Sequence, residues 1–282
     1  MKIKVTKMHG CGNDFVIVDY EEFCKTDEEM SKFAKKICDR HFGIGADGLI
    51  IPNINAECVD IGWFFYNSDG TTAQMCGNGM RCFAKYVYDK GLVDKKEFTV
   101  KTLAGVITPK ILENGLVKVN MGKPILNPEK IPFIPVNNID YKISIKNRIF
   151  QGCAISMGNP HFVIFIKDDE DLEKLAREYG PEIELAAEFP EKTNVEFVKI
   201  KSREEIELCV WERGCGITLA CGTGACASVV AGILNGYLDD DVDVKLMGGK
   251  LNIVWDGNRE NPDKNVYMSG SAKYVFEAEL NL

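Results

Sequence analysis

One short pattern occurs twice in this chain. Cys76-Gly77-Asn78-Gly79 and Cys221-Gly222-Thr223-Gly224 are both Cys-Gly-x-Gly, 145 residues apart in a chain of 282. The likeness extends to either side. Gly12-Asn13-Asp14-Phe15-Val16-Ile17-Val18 resembles Gly158-Asn159-Pro160-His161-Phe162-Val163-Ile164, and Lys90-Gly91-Leu92-Val93-Asp94 matches Asn235-Gly236-Tyr237-Leu238-Asp239. One residue out of step, Val100-Lys101-Thr102-Leu103-Ala104-Gly105 matches Val244-Lys245-Leu246-Met247-Gly248-Gly249. Four matches in one order at nearly one spacing indicate two copies of a domain-sized unit. Each copy, at roughly 140 residues, is long enough to bury its own core.

The copies share a coarse plan. A strand follows each Gly-Asn, over Asp14–Val18 and His161–Ile166. A helix follows each Cys-Gly-x-Gly, from Met80 to Lys90 and from Ala225 to Asn235, and Gly91 and Gly236 stop them. The second helix, Ala225-Cys226-Ala227-Ser228-Val229-Val230-Ala231-Gly232-Ile233-Leu234, carries no charge on any face. A helix that is apolar all round is buried all round. Short strands and turns make up the rest: Asn114-Gly115, Lys118–Met121, Lys142–Ile149 and Glu205–Trp211. The expected fold is α+β, with two pseudo-symmetric lobes, each a mainly antiparallel curved β-sheet wrapped around a central buried helix. Pro124, Pro128, Pro132 and Pro135 read as the linker between the copies.

Composition narrows the function. A net charge of −8 without a run of Lys or Arg disfavours nucleic acid as a partner. No stretch reaches the ~18 apolar residues of a membrane span, and the first residues carry no secretion signal. A soluble, cytoplasmic protein is expected. Eleven cysteines accompany only three histidines, His9, His41 and His161, and there is no Cys-x-x-Cys pair. Structural zinc and a disulfide framework are therefore disfavoured, and most of the thiols read as small apolar fillers.

Cys76 and Cys221 differ in their surroundings. At a helix start, bare amides and the helix dipole attract carboxylate or phosphate, and the same field favours thiolate over thiol. One copy alone reads as a glycine-rich N-cap, and neither continues into the Gly-Lys-Ser/Thr of a phosphate loop. In two pseudo-symmetric domains, though, equivalent features face each other across a shared cleft. Two opposed thiols suit removal of a proton from one face of a carbon and its return to the other. A carboxylate held at both helix ends would stabilise the charge developing beside that carbon. Such a site is a cofactor-independent racemase or epimerase.

Five runs carry a family resemblance. They are Phe42-Gly43-Ile44-Gly45-Ala46-Asp47-Gly48, Tyr66-Asn67-Ser68-Asp69-Gly70, Cys76-Gly77-Asn78-Gly79-Met80-Arg81-Cys82, Gly158-Asn159-Pro160-His161-Phe162, and Trp211-Glu212-Arg213-Gly214 through Ala220-Cys221-Gly222-Thr223-Gly224. Together they resemble the diaminopimelate epimerases over essentially the whole chain. The resemblance implies interconversion of LL- and meso-2,6-diaminopimelate in lysine and peptidoglycan-precursor synthesis, with neither pyridoxal phosphate nor metal. It also implies a last strand that returns to the first lobe, so the expected lobes are residues 1–121 with 271–282, and 122–270.

Carried over residue by residue, Cys76 and Cys221 are the acid/base pair, with His161 and Glu212 setting their pKa values. Gly77, Asn78, Gly222 and Thr223 hold the reacting carboxylate. Asn13, Asn67, Asn159 and Asn194 orient the substrate, and Glu212 and Arg213 meet its charged groups. Each also has a plainer reading: asparagine as a turn residue, Glu212-Arg213 as a solvated strand edge, His161 as a core histidine. Gly48, Met80 and Ile217 depart from the Gln, Ala and Glu more usual in that family. The expected partners are diaminopimelate and a second copy of the chain, with no nucleic acid and no membrane. The alternative is a two-cysteine racemase of the proline racemase type, against which Arg213 and the asparagines argue for a second charged end on the substrate. A redox pair of Cys76 and Cys221, or a non-catalytic amino-acid binding module, are the more distant readings.

Overall fold

The computed structural model describes residues 2–19 and 26–281. Cys24 and the outer ends of the expected first lobe, Met1 and Leu282, lie outside the described residues. The chain divides into two compact units, Met1–Asn120 with Ser269–Leu282, and Met121–Met268. Among the described residues no helix is long and apolar enough to cross a membrane.

In the first unit β1 (Lys2–Gly10) and β2 (Asn13–Val18) form a hairpin. Helix α1 (Asp27–Cys38) crosses to β3 (Gly48–Asn53), parallel to β2, and β4 (Ile61–Asn67) returns antiparallel. Helix α2 (Gly77–Asp89) crosses to β5 (Val100–Thr102), parallel to β4, and β6 (Gly105–Ile107) closes that edge. The small hairpin of β7 (Lys110–Ile111) and β8 (Val117–Asn120) packs on α2. The last strand in the chain, β18 (Lys273–Asn281), lies antiparallel to β1, so the sheet order is β18-β1-β2-β3-β4-β5-β6.

The second unit repeats this plan. Strands β9 (Tyr141–Ile145), β10 (Arg148–Ser156) and β11 (Pro160–Phe165) run antiparallel. Helix α3 (Leu172–Glu184) crosses to β12 (Asn194–Ser202), parallel to β11, and β13 (Glu205–Glu212) returns with the two-residue β14 (Gly216–Ile217) beside it. Helix α4 (Gly222–Leu234) crosses to β15 (Asp241–Leu246), parallel to β13, followed by β16 (Gly249–Val254) and β17 (Tyr267–Gly270). The order is β9-β10-β11-β12-β13-β15-β16-β17. Register matches as well as order: Phe15 lies opposite Gly48 in the first unit, and His161 opposite Asn194 in the second.

Antiparallel pairs predominate, and each parallel join is bridged by a helix because a parallel connection must cross back over the sheet. Two of those helices are absent from the sequence reading. Helix α1 is closed by a capping box, with Thr26 Oγ1 accepting from the Glu29 amide and the Glu29 carboxylate accepting from the Thr26 amide. Helix α3 is masked in the sequence by Gly180-Pro181. A Cβ at Gly180 would meet the Trp211 ring at 2.6 Å, so glycine is required where the helix lies against β13. Helix α1 packs on β3 and β4, α2 on β1, β2 and β3. With a helix on each face, the central strands are buried on both sides, and Phe15–Val18 and Leu49–Ile51 read as unbroken apolar runs.

As its charge-free sequence requires, α4 is enclosed. Ala225, Cys226, Ala227, Val229, Val230 and Ala231 are fully buried, and the helix packs against β10, β11, β12 and β16. The proline-rich stretch is not a linker. It lies within the second unit, a single 3-10 turn spans Pro128–Lys130, and Ile131 and Phe133 are part of that unit's core with Phe162 and Phe189. Its prolines shape a packed loop, because Ile131 and Phe133 are drawn inside while Ile134 stays exposed.

Candidate active site

Both helices that follow Cys-Gly-x-Gly begin with the cysteine itself as N-cap. Cys76 sits at φ −138°, ψ 117° ahead of α2, and its sulfur accepts from the Gly79 amide at 3.4 Å. Cys221 sits at φ −112°, ψ 109° ahead of α4, with the Gly224 amide at 3.3 Å. The first-turn amides of any helix lack helical acceptors. Helix α1 meets that with Asp27, Glu28 and Glu29, and α3 with Asp171 as cap and Glu173. Neither α2 nor α4 has an acidic residue in its first turn. The positive ends of these two helices therefore meet no acidic side chain of their own first turn.

In the first unit the residues converge on Asn13. Its Oδ1 accepts from Asn78 Nδ2 at 3.1 Å and from the Cys76 thiol at 3.7 Å, while its Nδ2 donates to Asp47 Oδ2 at 2.6 Å. Asp47 is held in turn by Arg40, which also bridges to Asp14, each at 2.8 Å. Burial opposes ionisation of Asp14, but Arg40 and the Lys7 ammonium at 2.6 Å outweigh it and bring its pKa down to about 2. Asn67 is not in this group. It ends β4 opposite Gly48, and its amide donates to Thr71 Oγ1 in the following turn. Of the departures from the family pattern, Met80 is fully buried in α2, and a Cβ at Gly48 would press on the Phe65 ring at 2.7 Å. Ile217 packs against the second unit's core.

The second unit places a different set around its cysteine. The Cys221 sulfur contacts Thr223 Oγ1 at 3.4 Å. Glu212, at the end of β13, accepts from Thr218 Oγ1 at 2.5 Å. Burial raises the Glu212 pKa, against the opposing pull of Thr218 and His161. His161 is fully buried, with Nδ1 at 2.7 Å from Glu196 Oε1 and Nε2 at 3.0 Å from Asn159 Oδ1. Asn194 donates to the Pro160 carbonyl at 2.7 Å and accepts from the Arg213 amide at 2.9 Å, tying β11 to the turn after β13. The Arg213 guanidinium reaches the Glu191 carbonyl.

A helix N-terminus on its own favours thiolate, and the sequence reading expects both cysteines to be acidified. For Cys221 the structure reverses this. Burial pushes its pKa well above the ordinary thiol value, Glu212 and Glu196 push in the same direction, and the Thr223 and Gly224 contacts do not overcome them. Burial first, and the two carboxylates after it, outweigh about half a unit of dipole charge.

Glu196 is the principal residue the sequence reading passed over. It appears in Thr193-Asn194-Val195-Glu196-Phe197 without a role. The available signal was a carboxylate inside a strand whose neighbours are all apolar or amide, which is the informative kind of buried residue. Asp47 was quoted in a motif in the same way, and only the structure shows it holding Asn13.

Comparison with known proteins bears on both halves. The sequence model of the family described as diaminopimelate epimerase matches residues 5–127 and 153–275. The diaminopimelate epimerase of Carboxydothermus hydrogenoformans is 48% identical over 279 residues, 98% of each chain. Among solved structures, a phenazine biosynthesis protein of the PhzF family from Enterococcus faecalis superposes over 100% of both chains with a TM-score of 0.71 at 12% identity. A hydroxyproline epimerase from Agrobacterium vitis, with bound trans-4-hydroxy-L-proline, has a TM-score of 0.69 at 10% identity, covering 99% of this chain and 92% of that one. At those identities the two structures speak for the fold alone.

Proposed function

The chain belongs to the diaminopimelate epimerase family, and from that premise we propose that it interconverts LL- and meso-2,6-diaminopimelate. The observation that carries this reading is the pair of matched helices, each capped by a cysteine and each without an acidic first turn. In the proposed reaction one cysteine, as thiolate, removes the Cα proton and becomes a thiol. The other, as thiol, delivers a proton to the opposite face and becomes the thiolate. The net change is one inverted centre, and the two cysteines have exchanged states. This requires both sulfurs to reach one substrate carbon.

The carboxylate beside that carbon accepts from the α2 and α4 first-turn amides at Gly77, Asn78, Gly222 and Thr223, which stabilise the charge that spreads into it. Asn13, Asn67, Asn159 and Asn194 orient the rest of the molecule, Arg213 takes the distal carboxylate, and Glu212 takes an ammonium. Glu212 and His161 bias the Cys221 thiol. The raised pKa of Cys221 supports the thiol form, which is the form the acid needs. The chemistry is complete with two thiols and calls for no pyridoxal phosphate or metal.

The proposal extends to a role in lysine biosynthesis and in the supply of peptidoglycan precursor, in the cytoplasm, as a homodimer. The two units are read as copies of one ancestral domain, a reading supported by their common strand order and register. The test is incubation of reduced protein with LL-diaminopimelate in D₂O, following Cα by NMR and mass. Deuterium at Cα together with meso product is expected. Binding without exchange would defeat the reading, and exchange on proline but not on diaminopimelate would transfer it to the proline racemase type.

A further inference from the structure

The turn after β13 carries Glu212 and Arg213, the two residues assigned above to the substrate's own charges, and one buried carboxylate holds that turn at both sides. Glu184 ends α3, and its side chain is 9% exposed. Its Oε2 accepts from the Trp211 indole at 2.8 Å, and its Oε1 from the Gly214 amide at 3.0 Å. Trp211 is the residue before Glu212, and Gly214 the residue after Arg213, so the two oxygens bracket the pair. Inside the bracket the Arg213 amide donates to Asn194 Oδ1 at 2.9 Å, and the Cys215 amide to the Glu212 carbonyl at 3.0 Å. Gly214 takes the φ of 77° that the third position of a tight turn allows, and its amide lies outside the turn's own hydrogen bond. Glu184 supplies the acceptor that the turn does not.

Packing alone does not call for a carboxylate at the end of α3. Burial strips it of water, a cost that its two hydrogen bonds and the Lys192 ammonium at 4.0 Å must offset. The first unit makes a similar tie with other parts. Tyr66 stands opposite Leu49 and Asn67 opposite Gly48, the register places that Trp211 and Glu212 occupy beside Val195 and Asn194. Tyr66 Oη donates to Asp27 Oδ1, and Ser31 Oγ donates to the Gly70 carbonyl at 2.7 Å. Asp27 begins α1, whereas Glu184 ends α3. Each copy thus ties the aromatic residue ahead of its site residue to a carboxylate of its outer helix, from opposite ends of that helix and through different donors. What the copies share is a turn held in place.

We propose that Glu184 is a positioning residue of the reaction: by clamping the Trp211 indole and the Gly214 amide, it fixes where Glu212 and Arg213 stand, and so how tightly the unreacting end of the substrate is held. A neutral amide is a poor replacement. Glutamine has the same shape, but its nitrogen carries hydrogens and would face one of the two N–H donors with another. The assignment rests on the diaminopimelate reading, because it is the second charged end of that substrate that Arg213 takes.

The test is steady-state epimerisation of LL-diaminopimelate by the parent protein, by Glu184→Gln and by Trp211→Phe. The second variant keeps an aromatic ring against Gly180 and removes only the indole donor. KM is expected to rise about fivefold or more in E184Q and about threefold in W211F, with kcat falling by a smaller factor in each. A merely structural role would behave differently, since a smaller folded fraction lowers kcat and leaves KM where it was. That pattern in E184Q would overturn the proposal, as would constants equal to the parent's. Should E184Q fail to fold, the same two results in W211F would overturn it. A parent protein that leaves LL-diaminopimelate unchanged would instead defeat the epimerase reading, and with it the purpose assigned to Glu184, so the two failures are read on different proteins.

Discussion

Cys76 and Cys221 are buried or half-buried N-caps, and their energetic roles in the two helices are small. A sulfur is a weak acceptor for the Gly79 and Gly224 amides, and a serine hydroxyl would cap either helix better. Cys76→Ser and Cys221→Ser are therefore expected to leave melting temperature unchanged or slightly raised. Diaminopimelate turnover should fall by about 10²-fold or more in each, the usual worth of a general acid or base. Equal activity in either serine variant, measured by meso product, would remove that thiol from the proton path. The position of both cysteines was legible in the sequence because the repeat marks them twice. Glu196 was not, because the repeat carries Ile50 at its place and a search for common features passes over what only one copy has.

The elements show the same division. Helices α2 and α4 follow the repeated motif and were readable to within a few residues. Helices α1 and α3 hold equivalent places but share no obvious sequence, since each needs only an amphipathic face toward its own sheet, and Gly180-Pro181 hides one of them. The central strands, buried on both faces, carry no alternation from which their outer helix could be inferred. The paired glycines of α2 and α4 give an element-scale prediction. Gly79→Ala places its methyl in ordinary contact and gains helix propensity, so stability should hold or rise by about 0.5–1 kcal/mol. Gly224→Ala drives a methyl against the Glu196 carboxylate and the Cys221 sulfur, and should cost about 1–3 kcal/mol. Urea midpoints of the two variants measure this. Equal shifts would mean that the turn over Glu196 is no tighter than its counterpart.

Across the whole molecule the thiols decide a property that none of them reveals singly. Ten cysteines stand outside disulfides among the described residues, and most of them are buried. Burial pushes Cys38 and Cys82 up to about 12 and Cys209 up to about 11, while an unfolded chain releases those protons near pH 9. A group whose folded pKa is raised contributes stability in full below the unfolded value, and loses it as pH climbs toward the folded value. Between about pH 9 and 11 each of the three then lowers the unfolding free energy by about 1.4 kcal/mol per pH unit. Together that is about 4 kcal/mol per unit, against a total stability of about 5–15 kcal/mol. The protein is expected to be stable in reducing buffer at pH 8 and to lose much of its resistance to urea by pH 10, where the net charge of −8 only adds repulsion. Cys82→Ala, although it leaves a small cavity, should flatten the decline by about 1.4 kcal/mol per pH unit. A urea midpoint that stays level from pH 8 to 10, or a Cys82→Ala slope equal to that of the parent, would mean that these thiols ionise within the folded core.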